Sequence, residues 1–397
     1  MNQARTTQPG GLGIVVVGQL PPPYGGQAVM MANLLRADLA PHRIRFVRLN
    51  FTREMSDIGQ ASWRKLAILP IVIVKIAVQR IISGCDVLLY PPAGPALNPV
   101  LRDVVILCCV RWMFQRTIFY FHAGGVMTFA DSLHPLLRRL VRWVYRRPDL
   151  TIRTSAAAPD DGAGCHSRRD VVVENGVGDL AEIGRDIHGK RRLRILYVGV
   201  LKEDKGILVL LESFSLLRAR GIEADLALVG APVPLAFQAS LQQSISRYGL
   251  EDRVLMPGVL TAEAKAEAYR SADVFCFPSY FASETFGLGV VEAMSSSLPV
   301  VATRWRGLAE IVDDGRDGFL VAIKDPVSLA DGLQKLLNDR QLRHDMGTAG
   351  RRKYLRRFTV EAFEHRLRQQ LDAFALAIAP ETSTFRPAVS SLNRRRS

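Results

Sequence analysis

Cysteine is scarce in this chain, and what there is has no pattern. Cys85, Cys108, Cys109, Cys165 and Cys276 are an odd set in 397 residues. None stands at a metal-ligand spacing, which excludes a zinc-ribbon or disulfide-scaffold reading and leaves free thiols in a reducing, cytoplasmic compartment as the expectation. A dinucleotide fingerprint is missing too: no G-x-G-x-x-G follows a strand pattern, which argues against an NAD enzyme. Long apolar runs are also lacking. The longest, Leu66–Val78, carries Pro70 and Lys75 and falls short of the ~20 residues of a spanning helix. It reads instead as a helix buried between a sheet and a neighbouring helix, with a membrane-surface contact as the alternative. Residues 1–10 are polar, without the apolar centre of a secretory leader.

The length exceeds what one ordinary core encloses and points to two domains. An apolar fraction of 48% with 23% charged residues describes a globular chain. Its formal charge of +14 is unevenly placed: residues 1–180 hold 21 basic and 12 acidic side chains, a net of +9. Arg138, Arg139, Arg142, Arg146 and Arg147 alternate with Leu140, Val141, Trp143, Val144 and Tyr145, a basic, aromatic-bearing amphipathic face. Such a face sits on anionic lipid or is simply solvated. Nucleic-acid binding is the weakest of the three readings.

Short β-branched runs alternate with helical periodicity twice over. Strands are expected at Leu12–Gly18, Ile44–Leu49, Asp86–Tyr90, Thr117–Phe121, Leu150–Thr154 and Val171–Glu174, then at Arg194–Gly199, Ala224–Val229, Arg253–Met256, Asp273–Pro278, Pro299–Thr303 and Gly318–Val321. Helices are expected between them, as at Gln27–Leu39, Ile207–Arg220, Thr261–Ser271 and Pro326–Asn338. Nearly continuous apolar strands mean parallel sheets covered on both faces. The fold class is therefore α/β, with two doubly wound Rossmann-like domains facing across a cleft. Residues 11–178 form the first and 190–358 the second, joined by a polar hinge at Gly178–Arg192. Residues 359–378 are expected as a helix packing back toward the first domain, and 381–397 as a disordered basic tail.

Several strand ends carry residue types suited to an anionic ligand. Gly25-Gly26 follow the first strand and open a helix, which allows close backbone approach to a phosphate; a purely structural turn is the equal alternative. His122, in FHAGG, ends another strand at the carboxyl edge, where open α/β sheets bind ligands. Gly199 ends a strand of the second half, and Lys205 stands at the next helix start, where a cation is unfavourable unless an anion lies beside it. Glu284 and Glu292 bracket a glycine-rich turn. Eight helical steps span roughly 12 Å, comparable to the reach from a ribose across a diphosphate to a sugar. A Glu-capped amphipathic helix explains the same segment equally well.

In order along the chain stand P-P-Y-G-G, H-A-G-G, E-N-G-V at Glu174–Val177, V-G-V-L-K-E-D-K-G, A-D-V-F-C-F-P-S, the Glu284/Glu292 pair and D-G-R-D-G-F-L-V. With these the chain resembles a family-four glycosyltransferase of the GT-B fold over roughly residues 12–375, most specifically from Ala272 to Val321. The resemblance implies a retaining transferase that uses a nucleotide-diphosphate sugar and neither a metal nor another cofactor. It implies catalytic roles for His122, Glu284 and Lys205. Donor binding would fall to Gly25, Gly26, Gly199, Lys202, Lys205, Phe286, Gly287, Leu288 and Glu292, with Glu284 on the sugar and Glu292 on the ribose. Two positions depart from the family pattern: Val200 stands where relatives carry an Arg, and Arg306-Gly307 where a Gly-Gly pair is usual. Lys202, Arg304 or Arg306 are the candidates to replace the missing charge. The expected acceptor is a lipid-linked saccharide of surface polysaccharide or glycolipid synthesis, with the enzyme peripheral to an anionic membrane at its cytoplasmic face and no nucleic acid bound. The alternatives are a soluble acceptor and a non-catalytic nucleotide-binding relative.

Overall fold

The computed structural model describes residues 10–22, 25–49, 63–181 and 192–379. Residues 1–9, Pro23 and Tyr24, most of the expected hinge, and the tail at 381–397 lie outside the described residues, as do the side chains of residues 63–67.

The first half is a six-stranded sheet of β1 (Gly13–Gly18), β2 (Arg43–Arg48), β3 (Val87–Tyr90), β4 (Arg116–Phe121), β5 (Leu150–Arg153) and β6 (Asp170–Val172). The strands are parallel throughout, in the order β2-β1-β3-β4-β5-β6. Its helices are α1 (Gly26–Arg36), α2 (Trp63–Ser83), α3 (Leu97–Val110), α4 (Val126–Asp131), α5 (Pro135–Tyr145) and α6 (Asp161–Gly164). The second half repeats the plan with β7 (Leu193–Val198), β8 (Ala224–Val229), β9 (Val254–Gly258), β10 (Val274–Phe277), β11 (Val300–Thr303) and β12 (Gly318–Val321), ordered β12-β11-β10-β7-β8-β9. Around it run α7 (Ile207–Ala219), α8 (Phe237–Arg247), α9 (Ala262–Arg270), α10 (Leu288–Ser295), α11 (Leu308–Ile311), α12 (Pro326–Asn338) and α13 (Arg340–Arg357). After these comes α14 (Val360–Ile378).

Strand sequences explain the layering. In β1, Val15 and Val17 pack with α2, α3 and α5, whereas Ile14 and Val16 point to the opposite core with α1 and α14. A strand buried on both faces has no polar alternation to show, so it reads as a continuous apolar run. Helix α14 reaches the first sheet although it follows the second: Phe363, Leu367, Leu371 and Phe374 belong to the cluster of Ile14, Val16 and Ile118.

One expectation needs correction. The helix over Leu66–Val78 is longer, Trp63–Ser83, and it is not enclosed. Val72 and Ile76 reach the core, but Ile71, Val74, Val78, Ile81 and Ile82 are exposed. The helix lies in the outermost layer, so only one of its faces meets protein. No helix of the described residues is long and apolar enough to cross a membrane.

In each sheet the strand order reverses once, between β1 and β3 and between β7 and β10. Loops leaving neighbouring strands there diverge to opposite faces and open a crevice at the carboxyl ends.

Candidate active site

The second sheet's crevice is built from the ends of β7 and β10. After β7 the chain passes Gly199 and Val200, where the Val200 carbonyl accepts from Tyr197 Oη at 2.9 Å. It then makes a single 3-10 turn, Glu203–Lys205, closed by Gly206 at φ 76°. A Cβ on Gly206 would stand 2.1 Å from the Pro278 carbonyl oxygen. Glycine thus lets the turn press onto the end of β10, and this brings Lys205 to the loop that carries Glu284.

There the two side chains meet: Lys205 Nζ is 2.6 Å from Glu284 Oε2, with 16% and 10% of their side chains exposed. Ser279 Oγ donates to the same oxygen at 3.0 Å. The ammonium also lies 4.6 Å from the Phe281 ring centroid, a cation–π contact strengthened where water is scarce. Beyond Glu284 the loop runs through Thr285 and Phe286 to Gly287, whose φ of 90° starts α10. A Cβ on Gly287 would strike the Leu308 side chain at 2.4 Å. The first-turn amides of α10 have no intrahelical partners and favour negative charge before them.

Glu292 sits one turn inside α10, so only the latter part of the Glu284–Glu292 interval is helical. Both its oxygens are engaged: Lys265 Nζ is 2.6 Å from Oε1, and Tyr269 Oη donates to Oε2 at 2.8 Å. Lys265 and Tyr269 are four residues apart on α9 and hence share one face.

The first half closes the crevice. A cavity of ≈ 210 Å³ is lined by Gly25, Gly26, His122 and Asn175 on one side, and by Tyr197–Val200, Lys205, Phe277 and Glu284–Gly289 on the other. Gly26 faces the Leu288 side chain, 3.5 Å from where its Cβ would be. Four bonds cross between the halves nearby: Thr285 Oγ1 donates to the His122 carbonyl at 2.8 Å, the Gly124 amide to the Ser283 carbonyl at 3.5 Å, and the Ala156 and Ala157 amides to the Glu310 carboxylate at 3.0 and 2.6 Å.

His122 stacks on Tyr120 at 4.1 Å between centroids. Both its ring nitrogens are buried without a protein partner, and so is Asn175 Oδ1. Burial pushes the imidazole pKa down to about 3, so the ring is neutral at physiological pH. The loop that carries it is anchored by Asp161, which accepts from the Gly125 amide at 2.6 Å and the Met127 amide at 2.8 Å.

The structure therefore brings His122, Lys205, Glu284, Gly25, Gly26, Gly199, Phe286, Gly287 and Leu288 to one cavity. Glu292 lies one layer behind, with Lys265 and Tyr269. Lys202 stands apart: its ammonium is bonded to Asp204 at 2.6 Å and lies over Phe281. Of the other candidates to replace an arginine at Val200, Arg304 pairs with Asp314 at 2.6 Å and Arg306 lies over Trp305. None of the three lines the cavity, where among the described residues Lys205 is the one side chain that carries positive charge. Ser279, Thr285, Lys265 and Tyr269 had no signature in the sequence; only the i, i+4 spacing of the last two hinted at a shared face. Among the described residues no group of three or more His, Cys, Asp or Glu side chains could hold a metal ion.

Residues 183–353 match the family described as Glycosyl transferases group 1. D-inositol 3-phosphate glycosyltransferase of Paenarthrobacter aurescens is 37% identical over 167 residues, covering 41% of this chain and 40% of that protein. The match thus spans well under half the length of that curated relative. Sucrose-phosphate synthase from Thermosynechococcus elongatus superposes with a TM-score of 0.72 over 92% of this chain and 100% of its own, at 20% identity. An Anabaena HepE solved in complex with UDP-glucose gives 0.68 over 91% and 100%, at 16% identity. The architecture is the GT-B fold, and the group 1 glycosyltransferase match lies on its second half.

Proposed function

We propose that the chain is a retaining glycosyltransferase that moves a sugar from a nucleotide-diphosphate sugar to an acceptor hydroxyl. The observation that carries this reading is the Lys205–Glu284 pair at the joined ends of β7 and β10, facing Gly25-Gly26 across the cavity. A carboxylate there accepts from sugar hydroxyls, and the ammonium beside it neutralises the diphosphate together with the α10 amides. In this reading Glu292, held by Lys265 and Tyr269 one layer behind the cavity, takes the ribose hydroxyls in exchange for one of those bonds. The likeness to a HepE that binds UDP-glucose supports a nucleotide-sugar donor.

In the reaction the bond from the anomeric carbon to the diphosphate breaks while the acceptor oxygen bonds to that carbon on the same face. The acceptor proton passes to the departing phosphate, and a nucleoside diphosphate leaves. Positive charge at the diphosphate matters more in this scheme than a protein nucleophile, and no metal is required. His122 contributes as a neutral hydrogen-bond partner or through its carbonyl, which already accepts from Thr285.

The acceptor in this reading is a lipid-linked saccharide, and the enzyme works at the cytoplasmic face of a membrane. The net charge of residues 1–180 supports that placement. A soluble acceptor is the competing enzyme reading. Val200 favours one other: with Lys205 as the one cation on the cavity wall, the chain binds nucleotide without turning it over.

One assay separates these readings. Purified protein is offered a panel of nucleotide sugars and free nucleotide is measured. Release with at least one donor is expected, and Glu284→Ala should lower it by about 10³-fold. Nucleotide binding without release from any donor would leave the non-catalytic reading standing.

A further inference from the structure

Among the described residues nothing packs on the outer surface of α2, α3 and α5, yet it is apolar. Of the twenty large apolar side chains exposed among the described residues, twelve lie on these helices and the turn after α3. They form three parallel stripes. On α2 the stripe is Ile71, Val74, Val78 and Ile81-Ile82, and on α3 it is Leu97, Leu101 and Val105, continued by Trp112. On α5 it is Leu136, Leu140 and Trp143. The spacings of three and four residues keep each stripe on one helix face. The helices are neighbours, α2 against α3 and α3 against α5, so the stripes adjoin. Trp112 and Ile82 are each 77% exposed and Leu136 69%.

Charge marks what covers this surface. The carboxylates here are already bonded to arginines: Asp86 to Arg80, Asp103 to Arg102 and Asp131 to Arg142. Arg139, between Leu136 and Trp143 in the α5 stripe, and Arg146 and Arg147 at its end are exposed, as is Lys75 beside the α2 stripe. A twofold contact with a second copy would set these arginines against themselves. An acidic lipid surface instead offers anions to the basic side chains and hydrocarbon to the stripes.

We propose that the α2–α3–α5 face inserts shallowly into an anionic bilayer, with Trp112, Trp143, Ile81 and Ile82 in the headgroup–acyl boundary and Arg139, Arg146 and Lys75 on lipid phosphates. The proposal rests on the function above only for its purpose, which is to bring a lipid-linked acceptor to the cleft. Helix α3 begins where β3 ends, so Leu97 lies on the cleft side of the face. The stripes therefore run from the cleft edge outward, ending at Trp112, Trp143 and Ile81-Ile82 near the amino ends of the strands.

The test is flotation of the full chain with phosphatidylglycerol–phosphatidylethanolamine vesicles and with phosphatidylcholine vesicles. Wild type is expected to float with the first and to lose binding as salt rises. Trp112→Ser/Trp143→Ser should weaken binding about tenfold or more, and Arg139→Ser/Arg146→Ser roughly fivefold per charge. Lipid-free nucleotide release should be unchanged in both. Ile81→Ser/Ile82→Ser repeats the apolar test from the far end of α2, should the tryptophan variant melt early. Equal flotation on both vesicle types, or variants that float like wild type, overturns the proposal. So does a lipid-free dimer that these substitutions dissociate, which would assign the face to a second copy. Failure of donor turnover with flotation intact would refute the transferase and leave the membrane face standing.

Discussion

The two halves share a topology but treat polar groups in opposite ways at the cleft. On the second half the two carboxylates at the cavity and just behind it are matched by lysines: Glu284 by Lys205, and Glu292 by Lys265. On the first half the cleft edge is neutral and unsatisfied, with the His122 nitrogens and Asn175 Oδ1 buried and partnerless. Matched charges hold a geometry ready for an anionic ligand. Orphaned neutral groups await one, because a buried polar atom without a partner costs about 1–3 kcal/mol. The contrast extends outward: of the twenty large apolar side chains exposed among the described residues, the twelve of the first half all lie on α2, α3, α5 and the turn after α3, whereas the other eight are scattered over many elements.

The sharpest way to break this contrast is to remove a charge from the second half. Lys205→Met strands Glu284 in a place with little water. It should destabilise the fold by about 3 kcal/mol in urea unfolding and reduce nucleotide release at least about 10²-fold. A variant as stable and active as wild type would show that the pair has no such role. Next in size, Glu292→Ala should raise the donor KM by about tenfold while kcat changes little. Loss of kcat with KM unchanged would place Glu292 at the reacting centre instead.

The first half is probed through His122. Its pKa is about 3 in the folded chain against 6.5 when unfolded. The unfolded state therefore takes up the proton first as pH falls, and stability present above pH 6.5 is lost on the way to 3. The loss is about 1.4 kcal/mol per pH unit below 6.5, and His122→Gln should remove that slope from denaturation curves measured at pH 7 and pH 5. The smallest expected effect is at Asp161, which anchors the His122 loop. Asp161→Asn replaces one of the two acceptors of the Gly125 and Met127 amides by a donor. A loss of about 1 kcal/mol is expected, with kcat lowered more than donor KM. The reverse split would mean that the loop serves the donor rather than the reacting centre.

Much of the architecture could be read from residues alone. All twelve strands lie within two residues of their expected ends: central strands such as β1, β3 and β10 are buried on both faces and apolar, while the edge strand β2 alternates basic and apolar residues. The surroundings of α2 could not be read, since periodicity shows that a helix is apolar without saying what lies against it. The site divides the same way. Glu284, Lys205 and His122 follow strand ends and so were open to sequence reasoning. Ser279, Lys265 and Tyr269 were not, because each acts on a partner that only the tertiary fold brings near. The same limit applies to Lys202, whose ammonium is captured by Asp204 two residues on, inside a turn whose shape Gly206 dictates.

Helix α14 has a further consequence, for the order in which the chain can mature as it is made. One face of the first sheet, with Ile14, Val16 and Ile118, is covered partly by residues 363–375. Some two hundred residues separate β6 from that cover. At about 5–20 residues per second, the first half waits on the order of ten to forty seconds at the ribosome with that face incomplete. Folding of the first half is thus completed by a segment translated only after the whole second half, and a chain truncated before α14 would leave an apolar sheet face open to aggregation.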